Sequence, residues 1–192
     1  MNKLRPLIVL LALPLLVGCA GPYSTVRESA QLADLTKYPV LNVGWLDLGE
    51  QRYRDYGYTE ADAGKWLTLI SEANLKSLPQ FLKEQITDKT IRVVRSRGEM
   101  PPGDGLVILF SDVKYNQKTS SAAQVMFGNL AGSDTLDVTI HFIDPRANRE
   151  VYTTAVSVTS KAGMGYGSMA FDGRVTNTVY NLARFIAEKV GY

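Results

Sequence analysis

Few residues of this chain could do acid–base or nucleophilic chemistry, because its 192 residues include one histidine and one cysteine. A Ser-His-Asp arrangement needs a histidine base with a partner on each side, so His141 is the only candidate base. It shares the polar face of an alternating run with Asp137 and Thr139. No Gly-x-Ser-x-Gly turn occurs in the sequence, and we interpret His141 as a solvated or hydrogen-bonded strand residue.

Carboxylates are the next candidates, because two of them across a cleft can cleave a glycosidic bond. The available clusters are the pair Asp134 and Asp137 and the group Asp55, Glu60 and Asp62. Carboxylates beside Gly and Ser at the starts of strands and helices usually form caps and turns. An envelope hydrolase is therefore kept only as an alternative.

A glycine-rich segment, residues 163–167, follows one predicted strand and precedes a helix, a context in which glycines can bind phosphate. Its spacing is Gly-x-Gly-x-Gly, and no Lys-Ser/Thr pair follows. We expect a connecting loop or a subunit contact here and no nucleotide. One His and one Cys also make a metal site improbable, so the sequence predicts no cofactor and no enzymatic activity.

Two segments carry side chains suited to binding. Tyr53, Tyr56 and Tyr58 alternate with arginines in the 49–59 loop and could contact a protein or stack on a glycan. Nearby acidic residues offset these arginines, which argues against a nucleic-acid backbone. The other segment is Val125-Met126-Phe127, which either packs into the core or forms an exposed docking or membrane-touching tip.

The residues before Cys19 have the pattern of a secretory signal. Lys3 and Arg5 precede the apolar run Pro6 to Val17, which is too short for a bilayer-spanning helix. The run Leu16-Val17-Gly18-Cys19 closely resembles the lipobox of bacterial lipoproteins. The resemblance implies removal of residues 1–18, acylation of Cys19 with chains such as palmitate, and attachment to a membrane.

The residue after the cysteine bears on the destination. Inner-membrane lipoproteins of enteric-type bacteria usually have Asp there, whereas this chain has Ala20, so the resemblance implies the periplasmic face of the outer membrane. Lys3 and Arg5, two of the 21 Lys and Arg residues, leave with the signal, so the mature chain carries as many cations as its 19 Asp and Glu. A neutral domain gives no electrostatic reason to bind nucleic acid.

The mature chain has the length of one domain on a tether. We predict a lipidated tether over residues 19–37, partly helical over 29–35, and a single periplasmic domain over residues 38–192. Alternating or continuous apolar runs predict strands over residues 40–48, 90–95 and 106–115, and a hairpin over 136–159.

Two helical segments complete the domain. One starts near residue 59 and is interrupted at Pro79, with Ser77 as a candidate cap of the second piece. The other follows Asp172, a candidate cap, and places Val175, Val179, Leu182, Ile186 and Val190 on one face. The fold class is α/β (α+β): a mixed, mostly antiparallel sheet of about five strands against two or three helices.

This order of elements is similar to small domains of outer-membrane lipoproteins. Examples are the Pel exopolysaccharide lipoprotein PelC, the penicillin-binding-protein activator LpoB and TolB amino-terminal-like domains. The residues that carry the similarity are the first strand, the hairpin and the final helix. The resemblance implies binding or ring assembly and assigns no residue role beyond Cys19.

The sequence therefore predicts a non-enzymatic, lipid-anchored scaffold or protein-interaction module of an envelope assembly, for example in polysaccharide export or cell-wall synthesis. Its expected contact surface comprises loops 49–59, 116–132 and 161–172. Homo-oligomerisation would bury Val125, Met126 and Phe127. The alternatives are a glycan- or peptidoglycan-binding module and the hydrolase.

Overall fold

The computed structural model describes residues 23–30, 33–49, 60–116, 134–160 and 171–191. Over these ranges the chain forms one mixed six-stranded sheet with helices packed on one face. The predicted α+β class with a mostly antiparallel sheet is confirmed. The additional strand is the first one, Tyr23–Glu28 (β1), which lies where the sequence predicts a tether.

The remaining strands are β2 (Val40–Val43), β3 (Thr90–Val93), β4 (Leu106–Asn116), β5 (Thr135–Asp144) and β6 (Arg149–Thr159). They lie in the order β1-β6-β5-β4-β2-β3, with β2 parallel to β3 and β4 and the other pairs antiparallel. The helices are α1 (Glu60–Glu72), a π-helical turn (Ala73–Ser77), α2 (Leu78–Gln85) and α3 (Phe171–Val190), and Leu35–Lys37 forms a 3-10 turn.

The predicted hairpin is confirmed as β5 and β6. Alternate residues of β5 face the helices and are at most 2% exposed: Leu136, Val138, Ile140 and Phe142. The rings of Phe142 and Tyr152 lie 5.4 Å apart between the two strands. At the turn, the Asp144 carboxylate accepts hydrogen bonds from the main-chain N–H groups of Arg146 and Ala147. Period-2 alternation and an Asp-Pro turn thus suffice to build this part of the sheet.

Helix α3 buries the predicted face: Val175, Val179, Leu182, Ile186 and Val190 are at most 1% exposed. It ends at Val190, and the following Gly191 has a φ of 98°, a conformation that favours glycine. The helix starts at Phe171, so Asp172 is its second residue and not the residue before it. Lys189 in the last turn reaches across to Glu28 of β1, with Nζ 2.6 Å from the Glu28 carboxylate.

The interruption predicted at Pro79 is confirmed and takes the form of the π turn, with Pro79 in the first turn of α2. Ser77 makes no side-chain capping bond, so the predicted cap is wrong. The π turn instead places the buried Asn74 amide against Leu46: Leu46 N donates to Asn74 Oδ1, and Asn74 Nδ2 donates to Leu46 O, both at 2.8 Å. This amide pairs the main-chain groups of Leu46 as a neighbouring strand would, so Leu46 and Leu48 stay buried although β2 ends at Val43.

The segment predicted as a tether belongs to the fold from Tyr23 onward. β1 pairs antiparallel with β6, and Ser29 continues the contact through hydrogen bonds in both directions with the main chain of Thr153. Leu35 is fully buried in the core, in a 3-10 turn and not in the predicted helix. The sequence does not reveal β1 because an edge strand with exposed, polar side chains lacks an apolar pattern.

A row of paired residues crosses four strands of the sheet near one of its ends. Tyr115 pairs with Leu136, Leu136 with Val158, and Val158 with Tyr23. We call this row the Tyr23 end. Residues 117–133 and 161–170 lie outside the described ranges. Asn116 and Asp134, which flank the first segment, and Ser160, which precedes the second, all lie at this end.

Tyr38 generates a prediction about alkaline stability. Its hydroxyl donates to Asp144 Oδ2 at 2.8 Å, and burial, aided by this bond, raises the pKa of Tyr38 from 10.0 to about 12. The neutral form is favoured in the fold, so this contribution to stability is complete below pH 10 and is lost as pH rises toward 12. Denaturant unfolding between pH 9 and 12 should show this loss, and Tyr38→Phe should flatten the curve in that window. An equal slope in the variant would contradict the assignment.

Candidate functional site

The face of the sheet opposite the helices carries a polar cluster centred on His141. On β4, β5 and β6 this open face presents half-buried side chains, among them Ser111, Thr139, His141, Thr153 and Ser157. The opposite face of the same strands supplies the apolar core. Among the described residues, strand alternation therefore separates a buried face that supplies the core from a half-buried face that no described helix covers.

Within this cluster the imidazole of His141 bridges a hydroxyl and a carboxylate. Its Nε2 lies 2.8 Å from Ser111 Oγ, and its Nδ1 lies 2.6 Å from Glu150 Oε2. The side chains of His141 and Glu150 are 27% and 46% exposed, so solvent reaches both. We refer to Ser111, His141 and Glu150 as the serine cluster.

Strand register brings the serine cluster together from three strands. Ser111 on β4 pairs with Thr139, two positions before His141 on β5, so Ser111 and His141 are diagonal neighbours on one face. Glu150 on β6 pairs with Ile143, two positions after His141, across a bulge in the β5–β6 ladder. The histidine therefore lies between a partner on each side.

A second bulge lies directly after Ser111. The β4–β5 register shifts between Ser111 and Lys114, and Asp112 adopts a φ of 51°. Asp112 Oδ2 lies 3.2 Å from both Ser111 Oγ and Thr139 Oγ1, which donate to it. Positive φ in a non-glycine residue is uncommon, and such bulges often re-aim a side chain at a functional site.

The Glu150 carboxyl of the serine cluster has a lowered pKa. The neighbouring Thr153 hydroxyl, followed by His141, lowers the pKa of the Glu150 carboxyl, although partial burial opposes them. Glu150 is thus an acceptor at neutral pH, and the His141 tautomer that carries its proton on Nδ1 donates to it. In that tautomer the Nε2 lone pair faces the Ser111 hydroxyl, whose one proton is shared between Nε2 and Asp112 Oδ2. This is the arrangement of a nucleophile, a base and an orienting carboxylate.

The sequence anticipated part of this cluster. His141 is hydrogen-bonded within a strand, as interpreted above, but Ser111 and Glu150 were not identified as its partners. Ser111 lies 30 residues and Glu150 nine residues from His141. Only the strand register and its two bulges bring these side chains together.

The carboxylate pair expected for a glycosidase does not form. Asp134 is fully buried, whereas Asp137 lies on the open face and accepts a hydrogen bond from Asn116 Nδ2 at 2.8 Å. The two side chains therefore do not line a common cleft. Glu60 and Asp62 lie in α1, but their side chains are outside the described part, as is all of Asp55.

Asp134 instead forms a buried ion pair at the Tyr23 end. Arg174 Nε of α3 lies 2.7 Å from Asp134 Oδ2, and the two side chains are 4% and 0% exposed. The Tyr115 hydroxyl donates to the same oxygen at 2.8 Å. Burial, followed by the Asp134 charge, raises the pKa of Tyr115 far above its ordinary value, so Tyr115 stays a neutral donor.

Two grooves lie away from the open face. One, of about 580 Å³, runs between the π turn, α2 and the first turns of α3, with Phe81 and Tyr180 edge to face in its wall. The other, of about 480 Å³, lies between α2 and the edge strand β3 and is lined by Lys83, Arg92 and Arg95. Neither groove includes the serine cluster, which is therefore reached from the open face.

Several predicted contact residues lie outside the described residues: Cys19, Tyr53, Tyr56, Tyr58, Val125, Met126, Phe127 and the glycines of 163–167. Among the residues that are described, no three His, Cys, Asp or Glu side chains gather as metal ligands would. Within the same ranges no helix has the length and apolar character needed to cross a bilayer.

Comparisons with known proteins give weak matches. No family model and no curated protein matches the chain. Two solved structures are similar over 88% of this chain and 99% of their own chain. One is a PelC variant dodecamer from Paraburkholderia phytofirmans, with 16% sequence identity and a TM-score of 0.39. The other is a PelC dodecamer from the same organism, with 13% sequence identity and a TM-score of 0.41. This is a weak structural resemblance to PelC, and it assigns no residue role here.

The buried ion pair yields a stability prediction. Arg174→Met leaves the Asp134 charge buried without its cation, and we expect it to lower the free energy of unfolding by about 3–5 kcal/mol. Asp134→Asn combined with Arg174→Met should cost less than the sum of the single changes by about 1–3 kcal/mol. Urea denaturation measures all three variants.

The matched control for this prediction is an exposed ion pair on the same helix. Arg184 Nε lies 3.4 Å from Glu188 Oε1, with both side chains about half exposed. Arg184→Met should change stability by less than about 0.5 kcal/mol. The prediction is contradicted if the losses of unfolding free energy at Asp134 and Arg174 are additive. It is also contradicted if Arg184→Met lowers the free energy of unfolding as much as Arg174→Met does.

Proposed function

We propose that this protein is a lipid-anchored interaction module at the periplasmic face of the outer membrane. Its domain binds protein partners of an envelope assembly such as polysaccharide export or cell-wall synthesis. The observation that supports this proposal best is the lipobox-like run ending at Cys19, followed four residues later by a strand that enters the sheet. The role is one of binding and requires no reaction.

The position of β1 limits how far the domain extends from the lipid. Four residue steps separate Cys19 from Tyr23, and a fully extended chain spans about 3.3–3.6 Å per residue, or roughly 14 Å in all. The tether expected from the sequence, to residue 37, would reach about 60 Å by the same rule. A lipidated Cys19 therefore holds the Tyr23 end next to the bilayer, and the partner must be sought there.

The undescribed segments 117–133 and 161–170 are attached at this same end. Their flanking residues Asn116, Asp134 and Ser160 are positioned by the sheet, and the Ser160 N–H donates to Asp134 O at 3.0 Å. The two segments contain one cation each, Lys118 and Lys161, and no acidic residue. Neither segment therefore carries an acidic charge that an anionic lipid surface would repel.

Self-association is part of the proposal. Within the described residues β1 pairs only with β6 and β3 pairs only with β2, so no other described strand lies against either edge of the sheet. Edges of this kind readily pair with another chain. Val26, in the bulge of β1, is 71% exposed and adds apolar surface at one edge.

The anchor is tested by two substitutions. Cys19→Ser should remove the acyl chains, so that most of the protein moves from the membrane pellet to the soluble fraction while its circular dichroism is unchanged. Mass spectrometry of the membrane-bound wild type should find acyl chains on Cys19. Ala20→Asp should retain acylation but shift the protein toward the inner membrane in a density gradient, and Ala20→Ser is its control. A wild-type protein with an unmodified thiol would contradict the proposal.

The short tether is tested with single cysteines, since an acylated Cys19 leaves no other thiol. Ser24 is exposed near the Tyr23 end, and Ala147 is exposed in the β5–β6 turn at the opposite end of the sheet. The eight residue steps of β5 from Leu136 to Asp144 separate these ends by about 27 Å. Headgroup-located nitroxide lipids should quench a fluorophore at Ser24→Cys strongly and one at Ala147→Cys weakly. Equal quenching at both sites would indicate a long tether.

A further inference from the structure

We propose that Ser111 is an activated nucleophile for short-chain carboxylic esters, with His141 as its general base and Glu150 as the group that positions the base. This activity goes beyond the proposed binding role and does not depend on the lipid anchor. It rests on the geometry of the serine cluster, whose three side chains all lie in described strands.

The geometry meets the requirements of a serine nucleophile. A base must lie within about 2.6–3.2 Å of the hydroxyl from which it takes the proton, and His141 Nε2 is 2.8 Å from Ser111 Oγ. The base must be held by a third group, and Glu150 Oε2 is 2.6 Å from Nδ1. Partial exposure of His141 and Glu150 leaves the cluster open to a substrate.

The reaction balances without a further reagent except water. Ser111 Oγ attacks the ester carbonyl carbon while its proton passes to His141 Nε2, and Glu150 stabilises the resulting imidazolium. The bond from carbon to the alkoxy oxygen breaks, and the alcohol leaves with that proton. Water then attacks the acyl-serine, gives a proton to His141, and releases the carboxylic acid and the free Ser111 hydroxyl.

The bulge after Ser111 favours and also limits this reaction. A bulge leaves one residue outside the regular ladder, and a main-chain N–H freed in this way next to a nucleophile can donate to the developing oxyanion. Asp112 acts against it, because its carboxylate accepts from the Ser111 hydroxyl at 3.2 Å and places negative charge beside the oxyanion. The wild type should therefore react slowly.

The open face determines the class of ester. Neither of the two grooves lined by described residues includes Ser111, so neither can enclose a long acyl chain bound there. A short acyl group, either on a small alcohol or on a larger molecule lying across the open face, needs no such enclosure.

The test uses full-length protein in detergent and a fluorophosphonate probe, which reacts with activated serines. Labelling of folded wild type at Ser111, located by mass spectrometry of peptides, is expected. Ser111→Ala should abolish it, and His141→Gln should slow it about 100-fold or more. Ser157→Ala is the matched control, a half-buried serine on the same face that pairs opposite Asp137, and it should label at the wild-type rate.

Two further variants separate chemistry from folding. Asp112→Asn keeps a residue that tolerates positive φ and should raise the labelling rate, whereas a purely structural cluster would gain nothing. Glu150→Gln should change the pH profile of labelling, because the orienting charge on His141 is lost. Each variant is compared with wild type by thermal unfolding.

Specific outcomes overturn the proposal. A folded wild type that is not labelled would contradict it. A folded His141→Gln variant that labels at the full rate would also contradict it. So would a Ser111→Ala variant that hydrolyses p-nitrophenyl acetate as fast as the wild type. Cys19→Ser should label normally, so failure of the anchor and failure of the serine cluster are distinguishable.

Discussion

The ion pair between Asp134 and Arg174 is the constraint on which the Tyr23 end of the sheet depends. Both side chains are almost fully buried, and a buried charge is costly unless it is paired and hydrogen-bonded. Satisfying Asp134 fixes Tyr115 at the end of β4, the start of β5 and the first turns of α3 relative to one another. Any arrangement of the chain that separates these three elements would leave a charge unpaired in the core.

Fixing this end also fixes the open face. The Ser160 N–H binds the Asp134 carbonyl where the hairpin strands leave the sheet, and Asp144 holds the turn at the other end. Because both ends of the hairpin are held, β5 and β6 cannot easily slide past each other. A slip by one residue would move every side chain of the sliding strand to the opposite face of the sheet. The contacts of His141 with Ser111 and Glu150 are therefore consequences of a register set by the core.

The elements that the sequence predicts correctly have local patterns. The hairpin follows from alternation, the buried face of α3 from helical spacing, and the helix interruption from Pro79. β1 escapes prediction because a polar edge strand has no apolar period and is recognised only by its pairing with β6. Likewise the Asp134–Arg174 and Ser111–His141 contacts span 40 and 30 residues, and no local pattern specifies which distant partner a polar side chain will meet.

The distances within the sheet connect the anchor with the serine cluster. Ser111 lies about four residues along β4 from Tyr115 of the Tyr23 end, or roughly 13 Å at the usual rise of a strand. The chain from Cys19 to Tyr23 adds at most about 14 Å. A lipidated Cys19 would thus keep Ser111 within about 30 Å of the bilayer surface. An ester carried by a polymer beside the membrane is consequently within reach of the serine cluster.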